Sequence, residues 1–202
     1  KKNTYNFKKN IFLMLQTLLN YLYRHFLFIK NDNINLKGKL KIKNKPILHI
    51  LNGSSLVIGS NVTLNSKNLK YHVNMFAPVK IYLGRVGAEI KIGDNTRIHG
   101  SCLHAYEAIE IGDNCLIAAN CQIFDSSGHN TLSDKPSERI TTHGIVKPIL
   151  IGNNCWIGTS AIILPGTVLG ENCVVAAGSI VSGVFKDNSL IGGNPAKLIK
   201  LI

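Results

Sequence analysis

The chain has 202 residues, 45% hydrophobic and 17% charged. That is enough for one domain with a core, leaves little for a second, and excludes wholesale disorder. The net charge of +12 is lopsided, because residues 1–45 carry eleven Lys and Arg against Asp32 alone. Such an arm has affinity for an anionic surface or polymer, or is a solvated tail. Binding of nucleic acid by lysines alone would be salt-sensitive and unspecific, and no reader motif accompanies them, so no nucleic-acid partner is expected.

Residues 1–35 form the first predicted element. Ile11 to Ile29 is apolar but interrupted by Gln16, Asn20, Arg24 and His25. Arg24 makes a membrane span costly, and no small-residue cleavage site follows. The pattern predicts a short amphipathic helical segment. It lies on a membrane with Lys8, Lys9 and Arg24 near the headgroups, covers an end of the fold, or packs in a trimer.

A period of six then governs the chain. Ile151, Ile157, Ile163, Leu169, Val175 and Val181 stand six apart without a slip. Ile111, Ile117 and Ile123 repeat the spacing, as do Val86, Ile92 and Ile98, and Ile58 and Leu64. Gly often follows the aliphatic residue, and then a turn pair such as Asp94-Asn95, Asp113-Asn114 or Asn153-Asn154. Asn and Gly are the residues that tolerate left-handed backbone. A short strand and a turn per six residues, with one inward aliphatic each, close a triangular coil after three units, and stacked coils bury a continuous column. The reading is an all-β parallel helix over residues 36–185. Residues 186–202 are expected as a tail or short helix.

All five cysteines fall four residues after an aliphatic of this series: Cys102, Cys115, Cys121, Cys155 and Cys173. The slot also holds Val62, Thr96, Ala161, Thr167 and Ser179. Buried structural thiols are the expectation, in a reducing compartment. With no CxxC and no ligand cluster, no metal is expected.

The period breaks twice. Residues 65–80 are an excursion or a degenerate coil. Residues 124–148 are polar and turn-rich, a protruding loop of the sort that carries function.

The motifs Trp156-Ile157-Gly158, Leu164-Pro165-Gly166, Ala177-Gly178-Ser179 and Gly193-Asn194-Pro195-Ala196-Lys197 resemble the hexapeptide-repeat acetyltransferases. The likeness is to the maltose, galactoside and nodulation type and to capsule and O-antigen O-acetyltransferases, over roughly residues 86–200. It implies a left-handed helix, acetyl-CoA as co-substrate, a sugar or glycan acceptor, and a homotrimer with sites between subunits. It also implies direct transfer with His129 as general base, since a histidine titrates near neutrality. Asp125 is expected to orient that imidazole or hold the acceptor, and Trp156 to frame the cleft. Thr159, Ala177 and Ser182 are expected along the coenzyme edge, with Lys197 near the nucleotide phosphates. His143 and His104 are the competing histidines. The stretch Ile98 to Tyr106 offers Ser101, His104 and Tyr106 where some sugar acetyltransferases carry Asn and Asp, which leaves the acceptor open. A bacterial surface glycan modified in the cytoplasm, at the inner membrane face, suits the basic arm. The rival activities are N-acetylation of an amino sugar and a γ-class carbonic anhydrase using His99, His104 and His129 on zinc.

Overall fold

The computed structural model describes residues 31–131 and 134–202, together with Ile11, Phe12, Met14, Leu15, Leu18, Leu22 and Phe28. Most of the expected N-terminal helical segment therefore lies outside the described residues. Phe28 is buried in the core. No helix among the described residues is long and apolar enough to cross a membrane.

Ile34–Leu36, Leu40–Lys43 and Ile47–Ile50 open three sheets, and each later strand stacks on one of them. Among the described residues the sheets hold seven, eight and six strands. Pairing is parallel throughout, apart from the last strand. The architecture is a left-handed parallel β-helix of triangular section. Ile58, Leu64, Ile111, Ile117, Ile123, Ile151, Ile157, Ile163, Leu169, Val175 and Val181 are all at most 1% exposed. They form one column of aliphatic side chains along the axis. Removing a buried Leu or Ile side chain from such a column to Ala typically costs about 2–5 kcal/mol.

The turn pairs occupy the corner between the first and second sheets. Asn61, Asn95, Asn114, Asn154 and Asn172 all adopt φ of 57–58°. Their side chains ladder from coil to coil, as in Asn95 Nδ2 to Asn114 Oδ1 at 3.1 Å. The preceding residue accepts from the coil below: Asp113 Oδ1 takes the Asp94 amide at 2.6 Å. Glycine is required beside this turn because coils touch there. A Cβ on Gly152 would stand 2.7 Å from the Gly170 carbonyl carbon.

Four cysteines fill the small inward slot. Cys115, Cys121, Cys155 and Cys173 are buried, and each thiol donates to a carbonyl of the following coil, those of Gly152, Gly158, Gly170 and Lys186. Cys102 departs from the expected slot. Gly100 turns at φ 47°, the corner is one residue shorter, and Ser101 takes the buried position instead. Leu103 then points inward, and Cys102 and His104 stand half-buried on the outer face of the third sheet. Val86 is also corrected. It is 75% exposed in the long turn before Glu89–Ile92, and Ile90 and Ile92 are the inward residues.

Residues 66–79 are an excursion rather than a degenerate coil. They leave after Val62–Asn65 on the second sheet and rejoin at Lys80–Leu83 on the third. Asn120 holds them against the corner two coils on, accepting from the Phe76 amide and donating to the Asn74 carbonyl. The C-terminus is neither tail nor helix. Ser189–Gly193 continues the second sheet, and Ala196–Leu201 folds back antiparallel on it.

Candidate active site

The sequence-predicted residues fall on two different corners of the prism. The first corner joins the second and third sheets through the turns after Ile117, Ile157 and Val175. Beside it, Leu116, Trp156 and Val174 stack in register on the outer face of the second sheet. With Tyr71, His72 and Val73 of the excursion they line an apolar groove of about 310 Å³, which also takes in Thr159 and Ala177. Gly158 is fixed here by close approach, since a Cβ would sit 2.6 Å from the Ala177 amide nitrogen. The Thr159 hydroxyl donates to the Ala119 carbonyl at 2.7 Å. Trp156 is 52% exposed, so its indole is free to meet a ligand. The groove has the character of a slot for a narrow, mostly apolar arm running along the axis. Lys197 belongs to the same face: it pairs with Gly192, one strand beyond Val174 and Val175.

The second corner joins the third sheet to the first and carries the loop. Ser126 and Val146 form an antiparallel bridge, and Ser127 and Gly144 amides donate to the Ile145 and Gly128 carbonyls. This two-stranded stalk carries His129 at its end, solvent-exposed. Gly144 lies so close that a Cβ would come within 2.9 Å of the His129 amide nitrogen. His143 is also exposed in this loop. Ser182 sits on this second corner too, not beside Thr159 and Ala177.

Asp125 does not orient His129. Its carboxylate is fully buried and accepts the Tyr106 amide at 2.8 and 3.1 Å and the Glu107 amide at 2.7 Å. It caps the turn of the coil below and anchors the root of the loop. A carboxylate so occupied is closed to an acceptor sugar as well.

The third sheet separates the two corners. Five or six residues of strand and turn span roughly 15–20 Å. No described residue of the loop lines the groove. One chain thus presents a groove on one edge and a histidine on another.

Two further histidines stand against aromatic neighbours. His99 is buried on the second sheet, stacked on Tyr71 at 4.8 Å, with Nδ1 3.1 Å from Asn65 Nδ2. Burial first, then the charges of Arg97, Lys43 and His72, hold its pKa down at about 4. The unfolded chain therefore takes up this proton near 6.5 and the native fold only near 4. Its stabilising contribution is complete above pH 6.5 and is lost progressively as pH falls toward 4, by up to about 3 kcal/mol. His99→Gln is expected to flatten the fall of Tm across that window. Parallel wild-type and variant profiles would mean that another group controls the acid limb.

His104 lies between Tyr82 and Tyr106, edge-on to both, and burial lowers its pKa. It faces outward from the third sheet, so His99, His104 and His129 do not converge within the chain as the zinc reading needs. Burial pushes the Cys121 thiol up to about 11. That thiol therefore stays protonated in the core and offers no acyl carrier.

Sequence reasoning missed Tyr71, His72 and Val73 as groove residues. The only signal for them was the lapse of the period.

Comparison with known proteins fits this geometry. Residues 148–183 match the bacterial transferase hexapeptide (six repeats) family, and residues 89–124 the hexapeptide repeat of succinyl-transferase. WbbJ of Escherichia coli, described as a lipopolysaccharide biosynthesis O-acetyl transferase, is 31% identical over 146 residues, 67% of this chain and 73% of that protein. The hexapeptide-repeat acetyltransferase VCA0836 of Vibrio cholerae, crystallised with acetyl coenzyme A, is 33% identical with a TM-score of 0.50, covering 55% of this chain and 60% of that one. The N-acyltransferase AntD of Bacillus cereus shares the fold at 18% identity and a TM-score of 0.65, over 88% of this chain and 86% of that one. By repeat, fold and relatives, the chain belongs to the hexapeptide-repeat family of acetyl-CoA-dependent acetyltransferases.

Proposed function

We propose that the chain is an O-acetyltransferase that moves acetyl from acetyl-CoA to a sugar hydroxyl of a bacterial surface glycan, with His129 as general base. The observation that supports this best is the division of the site between two corners. In a homotrimer, the loop corner of one protomer meets the groove corner of the next, and His129 stands over a groove it cannot reach in its own chain. The pantetheine arm lies along Trp156, Thr159 and Ala177. Lys197 faces the nucleotide phosphates, and Ser182 approaches from the neighbour with His129.

His129 accepts the proton of the acceptor hydroxyl as that oxygen attacks the thioester carbonyl. The tetrahedral intermediate collapses with loss of the coenzyme thiolate, which takes the proton from the imidazolium. Transfer is direct, through a ternary complex. The glycan reading draws on the description of WbbJ. The basic arm, residues 1–45, supplies peripheral contact with the inner membrane face.

The test is thiol release from acetyl-CoA against a panel of neutral, acidic and amino sugars. Acceptor-dependent release with acetate appearing as an ester supports the reading. An amide product would move the chain to the N-acetyltransferases, and coenzyme binding without turnover on any sugar would remove the sugar acceptor.

A further inference from the structure

The excursion borders a second cavity, open to solvent and lined by residues outside the groove apart from Tyr71. It lies against the N-terminal end of the second sheet, has a volume of about 670 Å³, and is lined by Lys43, Lys67, Lys70, Asn65, Asn68 and Tyr71 among others. No carboxylate lines it, and none of its three lysines is ion-paired among the described residues. Three exposed lysines on one open cavity give it a positive potential that attracts anions.

The cavity is built rather than incidental. Asn65 Oδ1 accepts the Lys67 amide at 3.1 Å, which bends the chain as it leaves the strand. Asn68 then accepts twice, from the Tyr71 amide at its carbonyl and from the Met75 amide at its side chain. Lys70 adopts φ 67°, a left-handed conformation that Asn, Ser or Gly fills at nearly every other such turn of this chain. A lysine is held in that turn although its backbone disfavours it.

The face as a whole changes polarity along the axis. One outward register column reads Lys41, Thr63, Arg97, Leu116, Trp156, Val174, Leu190, Lys200. Cations stand at both ends and apolar residues in the middle. The apolar middle and the C-terminal cations suit the arm and the nucleotide of the coenzyme. That leaves the N-terminal cations beyond the thioester end. Tyr71 lines both cavities, so they adjoin across its ring. Burial first, and then the charges of Arg97 and Lys43 at this end of the face, lower the pKa of His99 beside Tyr71.

We infer that the cavity around Lys43, Lys67 and Lys70 binds the anionic group, carboxylate or phosphate, of an acidic sugar acceptor and hands its hydroxyl across Tyr71 to the acetyl groove. This rests on the acetyl-transfer reading for its catalytic consequence, but the binding can be read alone. The experiment is calorimetric titration of the protein with an α2,8-linked sialic acid trisaccharide, with UDP-glucose and with neutral maltotriose. Each is repeated on Lys43→Gln/Lys67→Gln/Lys70→Gln, with the acceptor KM measured in parallel. The triple variant changes exposed side chains only, and its Tm is recorded as a folding control.

The expected result is binding of one anionic probe but not maltotriose, weakened about tenfold or more in the triple variant, with the KM for acetyl-CoA unchanged. Preference for the trisaccharide names a carboxylate, and preference for UDP-glucose a phosphate. Equal affinity of wild type and variant for every probe, or turnover of neutral sugars alone, would overturn the inference while leaving acetyl transfer intact. Charge-dependent binding without turnover would leave the inference standing and remove the proposed reaction.

Discussion

Replacing His129 with Ala is expected to lower the rate of acetyl transfer by about 10²–10⁴-fold, the span that a positioned general base supplies. The KM for acetyl-CoA should stay within about twofold of wild type, because His129 does not line the groove of its own chain and a missing imidazole removes no apolar contact from the coenzyme arm. Thiol release at varied acetyl-CoA measures both. The loop should keep its shape in the variant. Its stalk is held by backbone pairing at Ser126 and Val146 and by the buried Asp125 carboxylate, none of which involves the imidazole. A variant within about fivefold of wild type would place the base elsewhere. His72 is then the residue to change, since it stands on the groove wall with Trp156 and Thr159.

The column of the helix was legible because the signal repeats. Each inward aliphatic stacks on its equivalents in the coils above and below, so one register recurs along the chain and small departures stand out against it. The departures that misled were at corners. Val86 keeps the six-residue spacing by coincidence, inside a turn lengthened to include Gly84, Arg85 and Gly87. Cys102 keeps it because Gly100 removes one residue from its corner and shifts every later side chain of that strand by one. Inward and outward positions alternate, so a one-residue slip exchanges them. That slip also puts His104, six residues after Ile98, on the outer face.

The sequence names candidate residues but not their grouping. Thr159, Ala177 and Trp156 line one groove, with Lys197 on the same face. Ser182 does not, because its distance along the chain from Ala177 is one strand, and one strand is one side of the triangle. The role of Asp125 is set by amides 18 and 19 residues earlier in sequence, a contact that exists only once coils stack. The groove wall at Tyr71 is of the same kind. Nothing local in residues 66–79 tells that Asn120 will fasten them two coils away.

The division of the site between corners leads to the second large effect. Two variants that are inactive alone should recover activity when mixed as trimers: His129→Ala, which lacks the base, and Ala177→Trp, whose indole fills the groove of about 310 Å³. If each site joins the groove of one protomer to the loop of the next, a site works when the groove comes from the first variant and the loop from the second. In randomly mixed trimers that combination arises at about a quarter of the interfaces, so activity should reach about a quarter of wild type from parents near zero. Refolding or coexpression of differently tagged chains, with mixed trimers verified by native mass spectrometry, reads the number directly. Activity that stays at the parental level in verified mixed trimers would mean that the base and the groove serve the same chain. The loop would then have to cross the outer face of the third sheet, past Phe124 and Ile162, to reach Thr159. The bridge at its root opposes that route, because it fixes the stalk at the corner where the third sheet meets the first.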